Sequence, residues 1–255
     1  MGLLSRSTYN MKLRIALVLA LALPLAADPL TDLRTVLGKL TAREPIRATY
    51  EVQRSVVSEG KFDNDKVNGK AVVELESGGG DFRVIIPHSL LDQIAREQEA
   101  RALDVEKQTP TVSALSQLDP VDTSTAVDFA PTLLRMLHGA KVVSDAQSTF
   151  QGKPARALVL RLEDRIEKEE KGRLKISENR LTLWLGPDLV PVGAEHLFNA
   201  KVSVLLLKFE TKQKKSWYLA QVADHLVRLR HESSQSSSGM GQKANEMMVA
   251  TVKVH

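Results

Sequence analysis

The chain has 255 residues, of which 26% are charged and none is cysteine, and its formal net charge is +4. Without cysteine, a disulfide framework, a cysteine nucleophile and a lipid-modified N-terminal cysteine are excluded. Three basic residues lie within the first 27 positions, so the rest of the chain has 32 basic and 31 acidic residues. This balance argues against a nucleic-acid binder, which needs a basic surface that neutralises several phosphates.

The first segment has the pattern of a secretory signal peptide. Basic residues precede an apolar run over residues 15–23, and small residues follow it. The run is shorter than the roughly 20 apolar residues that span a bilayer. We therefore expect residues 1–27 to be cleaved, with translation starting at Met1 or Met11, and residues 28–255 to be soluble in the periplasm. An uncleaved N-terminal anchor is the alternative.

A short helix and a group of strands follow. Leucine and valine recur at helical spacing over residues 30–40, which predicts a helix. After Pro45 the pattern changes to period two, and residues 46–57, 69–75 and 82–86 read as three strands of an antiparallel meander.

A helical insertion is expected over about residues 87–139. Leu90, Leu91, Ile94, Ala95 and Leu103 form a helix stripe. Residues 107–125 are rich in Pro, Ser, Thr and Asp and are expected to form a loop. A second helix is expected from Asp128, as N-cap, to Gly139, as the residue after its C-terminus.

The remaining sequence is rich in strands separated by turn signals. The expected turns are Gly152, residues 186–188 and the serine-rich run 233–239. The expected strands are residues 141–147, 155–162, 174–185, 190–198, 201–210, 216–231 and 246–254. The layout predicts an α+β fold with one highly curved antiparallel sheet and helices on one side of it. Residues 28–255 are expected to form one domain.

Several strands are apolar on both faces. Leu181, Leu183 and Leu185 point to one face of their strand and Trp184 points to the other. Residues 202–209 also have apolar side chains at both odd and even positions, and therefore on both faces. A one-sided antiparallel sheet would alternate more cleanly. Either helices cover the second face with an ordinary core, or that face lines an apolar cavity.

Residues for catalysis or for a cofactor do not stand out. The six histidines lack metal-site spacing, and His225 and His231, which share a strand face, are expected to be exposed. A Gly-x-Ser-x-Gly elbow and a phosphate-binding loop are missing. The chain is therefore expected not to be an enzyme and to need no cofactor or metal; a hydrolase site around His196 or His225 is the remaining alternative.

Four segments carry a resemblance to a known family. They are residues 46–53 (IRATYEVQ), 69–75 (GKAVVEL), 81–84 (DFRV) and 181–192 (LTLWLGPDLVPV). Together with the export signal and the order of elements, they resemble the superfamily of periplasmic outer-membrane lipoprotein carriers (LolA/LolB-like). The resemblance implies an incomplete barrel lidded by helices, with a hydrophobic cavity that takes acyl chains.

The resemblance also implies a function and a set of site residues. The function is a non-catalytic carrier or chaperone for lipids or lipidated proteins, with partner proteins in the inner or outer membrane and no nucleic acid. The alternative is an envelope protein-interaction or sensory module whose cavity is filled. In the family a first-strand arginine holds the lid, and Arg47 and Arg54 are the candidates here. The expected cavity and lid residues are Tyr50, Phe82, Phe129, Leu133, Met136, Leu137, Trp184 and Leu205.

Overall fold

The computed structural model describes residues 28–60, 64–164, 173–204 and 207–255. The expected signal peptide, residues 1–27, and the expected cavity residue Leu205 lie outside the described residues. Within the described part the chain forms five helices and ten strands. None of these five helices has the length and apolarity that crossing a membrane requires.

One helix precedes the first strand, and the other four lie between the third and the fourth strand. The bounds of the helices are α1 (Pro29–Leu37), α2 (His88–Leu103), α3 (Pro110–Leu115), α4 (Pro120–Ser124) and α5 (Ala130–Met136). The strands are β1 (Ile46–Glu59), β2 (Asn64–Gly78), β3 (Asp81–Ile85), β4 (Lys141–Phe150), β5 (Lys153–Arg161), β6 (Leu174–Leu185), β7 (Pro191–Val204), β8 (Leu207–Val222), β9 (His225–Gly239) and β10 (Gln242–Val254).

All ten strands belong to one antiparallel sheet. Their order is β3-β2-β1-β10-β9-β8-β7-β6-β5-β4, so the two hairpin systems join where β1 pairs with β10. Strands β3 and β4 are the edges, and the sheet is not closed into a barrel. The predicted antiparallel, unclosed sheet is confirmed. The α+β class is supported only loosely, because the helices are few and short beside ten strands.

One row of cross-strand neighbours shows which face of the sheet is covered. Directly paired residues share a face, and this row crosses eight strands from β5 to β2. Every member is at most 4% exposed. We call the face that carries this row the inner face. Its members are Leu158, Leu183, Ala194, Trp217, His231, Ala250, Val52 and Ala71.

Helices α1 and α5 pack on the β5–β8 half of the inner face. Leu30, Leu33 and Leu37 recur every three or four residues on α1, so they share one stripe, and all three are buried against the leucines of β5 and β6. Asp28 caps α1 by accepting a hydrogen bond from the amide of Leu30. The Arg34 side chain donates to the carbonyl of Leu137 at 2.9 Å and ties α1 to the end of α5.

Helix α3 and residues 126–127 cover the other half, formed by β1, β2 and β10. Ala114 of α3 packs on buried residues of these strands. Gly69 of β2 permits this contact, because a Cβ there would overlap the carbonyl oxygen of Pro110. The inner face therefore carries two separate apolar clusters, one under each group of helices.

Three sequence predictions about elements are wrong in detail. The expected loop 107–125 contains α3 and α4, which are too short to show helical periodicity. The serine-rich run 233–239 lies inside β9 and is not a turn. The expected strand 216–231 is divided between β8 and β9 at Ala223, whose φ is +53°. The residues on both sides of this turn fit a strand pattern, so the sequence predicted one continuous strand.

Helix α2 lies where the apolar stripe predicts a helix, but none of its residues is buried and Leu103 is 91% exposed. The predicted Asp128 N-cap is also wrong, because α5 begins at Ala130 and Phe129 occupies the cap position. Asp128 is instead half-buried, and burial raises the pKa of its carboxyl group.

Candidate functional site

A polar pocket lies between the two apolar clusters. In the buried row, Trp217 and His231 are the two central members, with only apolar residues on either side. The pocket has a volume of about 450 Å³ and is lined by residues of α4, α5 and strands β7–β9. Its apolar lining includes Phe129, Met136 and the Trp217 ring.

A short backbone ladder fixes the position of Phe129 over strand β9. The first residues of β9 extend beyond its pairing with β10, and residues 126–129 take the place of β10 there. The amide of Phe129 donates to the carbonyl of Leu226 at 2.9 Å, and the amide of Arg228 donates to the carbonyl of Ala126 at 2.8 Å. The segment that enters α5 is therefore held beside the start of β9, in the position that β10 occupies further along the strand.

Trp217 and Arg228 contact the Phe129 ring, and His231 contacts Trp217. The Phe129 centroid lies 5.3 Å from the Trp217 ring and 5.3 Å from Cζ of Arg228, which is cation–π distance. The His231 ring stacks on Trp217 with centroids 5.7 Å apart. Aromatic surfaces and hydrogen-bonding groups thus lie side by side at the base of the pocket.

Arg228 connects the sheet to helix α4. Its side chain is 3% exposed, and Nη2 donates to the backbone carbonyl of Asp122 at 2.8 Å. Nη1 lies 3.6 Å from the Asp122 carboxylate, which is half-exposed. Breaking these contacts would leave a buried guanidinium without its partner, which is costly. The Arg228 side chain therefore favours the position of α4 seen here.

Several buried polar atoms in this group have no protein hydrogen-bond partner. They are Nε of Arg228, Nε1 of Trp217 and both ring nitrogens of His231. An unsatisfied buried polar group costs about 1–3 kcal/mol, so most are paired in folded proteins. Their concentration under one pocket marks the place where a ligand with complementary polar atoms would be stabilised.

Burial controls the charge of these groups. Desolvation, assisted by Arg228 and Lys215, lowers the pKa of His231 to about 3, so its imidazole is neutral near pH 7. Burial also raises the pKa of Tyr50, against the opposing effect of Arg228, and keeps the phenol neutral. Burial lowers the pKa of Arg228, while the Asp122 carboxylate favours the charged form.

The arrangement is suited to binding more than to proton transfer. A histidine whose pKa is about 3 is a weak base, and general bases work best with a pKa near the operating pH. Among the described residues, no group of three His, Asp or Glu side chains is placed to hold a metal ion. What the pocket offers is aromatic surface, a methionine and hydrogen-bonding groups.

The structure brings two of the predicted lid residues to this pocket and places the others elsewhere. Phe129 and Met136 line the pocket. Leu133 and Leu137 are fully buried in the cluster under α1 and α5. Tyr50 is buried in the other cluster, close enough to Arg228 for the guanidinium charge to influence the pKa of its phenol.

Two further predicted cavity residues lie away from the pocket. Trp184 points to the opposite face from Leu183 and Leu185, where its ring lies 5.2 Å from that of Phe150. Phe82 packs at the margin of the cluster on β1 and β2. Residues 181–185 thus place their leucines in the core on one face of β6 and Trp184 in an aromatic contact on the other face.

The two arginines expected to hold the lid have different partners. Arg47 is exposed and pairs with Glu76 at 3.1 Å. Arg54 pairs with Glu246 at 2.7 Å and also donates to Oγ of Ser113 in α3 at 2.9 Å. The arginine bonded to α4 is Arg228, on β9 and not on the first strand.

Sequence reasoning missed Trp217, Arg228 and His231. His225 and His231 were expected to be exposed, but the structure buries them to 0% and 4% exposure, so that expectation is wrong. In a period-two pattern, polar residues are assumed to lie on the solvent face of the strand. Only the register with the neighbouring strands shows that a polar residue lies on the buried face instead. The one available signal was that Arg228 follows two apolar residues, Leu226 and Val227, in a strand-like run.

Comparisons with known proteins give little further information. Neither the protein-family models nor the curated proteins match this chain. Three solved chains match. One is MucB, in the crystal structure of MucB in complex with MucA(peri), at 11% identity, covering 88% of this chain and 93% of that chain, with a TM-score of 0.20. A likeness this low carries no argument about the fold, ligand or partner of this chain.

Proposed function

We propose that this protein is a non-catalytic periplasmic binding protein that takes the acyl chain of a lipid or lipidated protein into the pocket between α4–α5 and β7–β9. The observation that carries the proposal is the meeting of Phe129, Met136 and Trp217 with unpartnered polar atoms beneath two short helices. Apolar lining with a few convergent polar groups is the usual make-up of a small-molecule site.

The size of the pocket supports a single-chain ligand. Ligand pockets have volumes of roughly 300–1,000 Å³, and this pocket is about 450 Å³. Each buried CH₂ group contributes about 0.8 kcal/mol, so part of one acyl chain suffices for useful affinity. The two apolar clusters flank the pocket on the inner face. In this proposal α4 and α5 shift to admit a longer chain.

The contact between Arg228 and Asp122 gives a physical account of that shift. Helix α4 has five residues, and its described polar tie to β9 runs through one guanidinium. A short helix has few backbone hydrogen bonds of its own to hold it. In this proposal Arg228 has the lid-holding role that the carrier resemblance assigns to a first-strand arginine. The export signal expected in residues 1–27 supports a periplasmic site of action.

The two tryptophans allow a direct test. Trp217 lies in the pocket and Trp184 lies on the outer face, and the chain has no others. A Trp184→Phe variant therefore reports on the pocket alone. We expect a fatty acid or monoacylglycerol with bromine atoms on its chain to quench Trp217 emission saturably. The matched Trp217→Phe variant, which keeps Trp184, should show little quenching.

The outcomes separate the two functions considered. Saturable quenching of Trp217 by either lipid supports acyl binding. Equal, unsaturable quenching in both variants, with no lipid retained in native mass spectra, overturns it. That result would favour the alternative of an envelope protein-interaction or sensory module on the same filled scaffold.

A further inference from the structure

We infer that the pocket selects acyl ligands whose headgroup is a hydrogen-bond-accepting anion, a carboxylate or a phosphate, which binds at Arg228 and Trp217. This inference rests on the proposed function and adds the chemistry of the headgroup. The two sources share charge and acceptor atoms, so the experiment includes one ligand of each kind.

The buried donors define what the ligand must supply. An indole N–H and a guanidinium N–H can only donate, so Nε1 of Trp217 and Nε of Arg228 both require an acceptor. Both side chains are at least 96% buried, and both atoms lack a protein partner. The ring centroid of Trp217 and Cζ of Arg228 each lie 5.3 Å from the ring centroid of Phe129. An acceptor group bound beside Phe129 would supply the partner that these donors lack.

The charges around the pocket favour an anion. Three basic side chains, Arg135, Lys215 and Arg228, line it against two carboxylates, Asp119 and Asp122. His231 adds a neutral imidazole, which offers one donor and one acceptor and so accommodates the ligand without changing the charge. An anionic headgroup therefore neutralises the excess positive charge, while a neutral headgroup leaves it unmatched.

Asp122 is the competitor that the ligand displaces. Its carboxylate lies 3.6 Å from Nη1 of Arg228 and is half-exposed, while its backbone carbonyl holds Nη2 at 2.8 Å. A ligand carboxylate or phosphate can replace the side chain as counter-charge without disturbing the backbone bond. Removing only the charge of Asp122 should therefore strengthen the binding of anionic ligands.

The experiment uses the Trp184→Phe protein and three ligands with the same brominated acyl chain. They are a fatty acid, a lysophosphatidic acid and a monoacylglycerol, titrated below their aggregation thresholds at about pH 8, where a carboxyl group is ionised. We expect at least one anionic ligand to bind roughly 10-fold or more tightly than the neutral one, as charge-assisted hydrogen bonds typically give.

Three added substitutions assign the preference. Arg228→Gln should remove most of the difference between anionic and neutral ligands. Asp122→Asn should increase the affinity for the anionic ligands several-fold and leave the monoacylglycerol unchanged. Arg230→Gln is the matched control, because Arg230 lies on the same strand, is exposed and pairs with Glu232. This control should behave like the parent protein.

Equal affinities for the charged and neutral ligands would overturn the inference and leave the proposed acyl binding intact. Failure of all three ligands to bind would instead overturn the proposed function. If Arg228→Gln does not fold, Asp122→Asn decides the matter. A selectivity that is unchanged or reduced in Asp122→Asn contradicts the role assigned to Arg228.

Discussion

Two histidines on strand β9, six residues apart, have opposite surroundings. His225 is fully buried, and its ring nitrogens lie 3.1 Å from the carbonyl oxygen of Val127 and 2.7 Å from that of Glu44. His231 is 4% exposed, and neither ring nitrogen has a protein partner. One imidazole joins three segments of the chain, while the other stacks on Trp217 at the base of a pocket.

The difference distinguishes a structural polar residue from a candidate binding residue. Burying a polar group is costly unless it is hydrogen-bonded. At His225 the bonds to Val127 and Glu44 offset that cost and hold the helical insertion and the start of β1 against β9. At His231 the cost is not offset within the protein. We therefore expect a substitution at His225 to affect mainly stability and a substitution at His231 to affect mainly binding.

The largest expected effect is on stability at His225. His225→Leu removes the ring that these two carbonyl groups face, which has one N–H donor as a neutral imidazole and two as an imidazolium, so the free energy of unfolding should fall by about 2–4 kcal/mol. The matched His231→Leu variant removes an unpartnered polar group and should change it by less than about 1 kcal/mol. Urea unfolding at pH 7 measures both. Equal losses in the two variants would show that the histidines have the same role.

The pH dependence of stability should be the next largest effect, and it belongs to His231. Burial holds the pKa of its imidazole at about 3, against 6.5 in an exposed histidine. Below pH 6.5 the unfolded chain therefore binds a proton that the folded chain does not, and stability falls as the pH falls. Between pH 6.5 and 4.5 this contribution amounts to about 2 kcal/mol.

The control for this effect is the His231→Leu variant, because other groups also titrate in this range. As the pH falls from 6.5 to 4.5, the unfolding free energy of the parent protein should fall more than that of the His231→Leu variant. Parallel pH profiles for the two proteins would indicate that His231 is accessible to solvent and ionises normally.

The smallest expected effect on stability is at Asp122. Its carboxylate is half-exposed, and Arg228 keeps the bond to the Asp122 backbone carbonyl when the side chain changes. Asp122→Asn should therefore lower the free energy of unfolding by less than about 1 kcal/mol, as is usual for ion pairs with one solvated partner. Thermal unfolding without lipid measures this. A loss of several kcal/mol would make Asp122 a structural residue like His225.

The sequence predicted the arrangement of strands better than the pocket. Period-two runs and the position of the insertion correctly indicated an antiparallel sheet with helices before β4, and the family resemblance implied that the sheet is not closed. Local patterns failed at Ala223, where a turn follows no Gly, Pro or Asn signal, and in the serine-rich run, which continues as strand. Both segments depend on how β8, β9 and β10 pair with one another, which residue patterns within one segment do not encode.

The candidate site depends even more on long-range pairing. Trp217 and His231 become neighbours only through the register between β8 and β9. Phe129 joins them because residues 126–129 pair with the end of β9. Phe129 and Met136 were expected in the lid only because the family resemblance implied it. Arg228 was missed because a charged residue in a strand is expected to face solvent unless a buried partner is known.

A crystal structure of the protein with a bromine-labelled fatty acid tests the central claim most directly. Anomalous scattering locates the bromine atoms independently of the protein. The account predicts bromine between α5 and strands β7–β9, beside Phe129 and Trp217, with the carboxylate within hydrogen-bond distance of Arg228. Bromine bound only outside this pocket, with the Arg228 and Asp122 contacts unchanged, would contradict it.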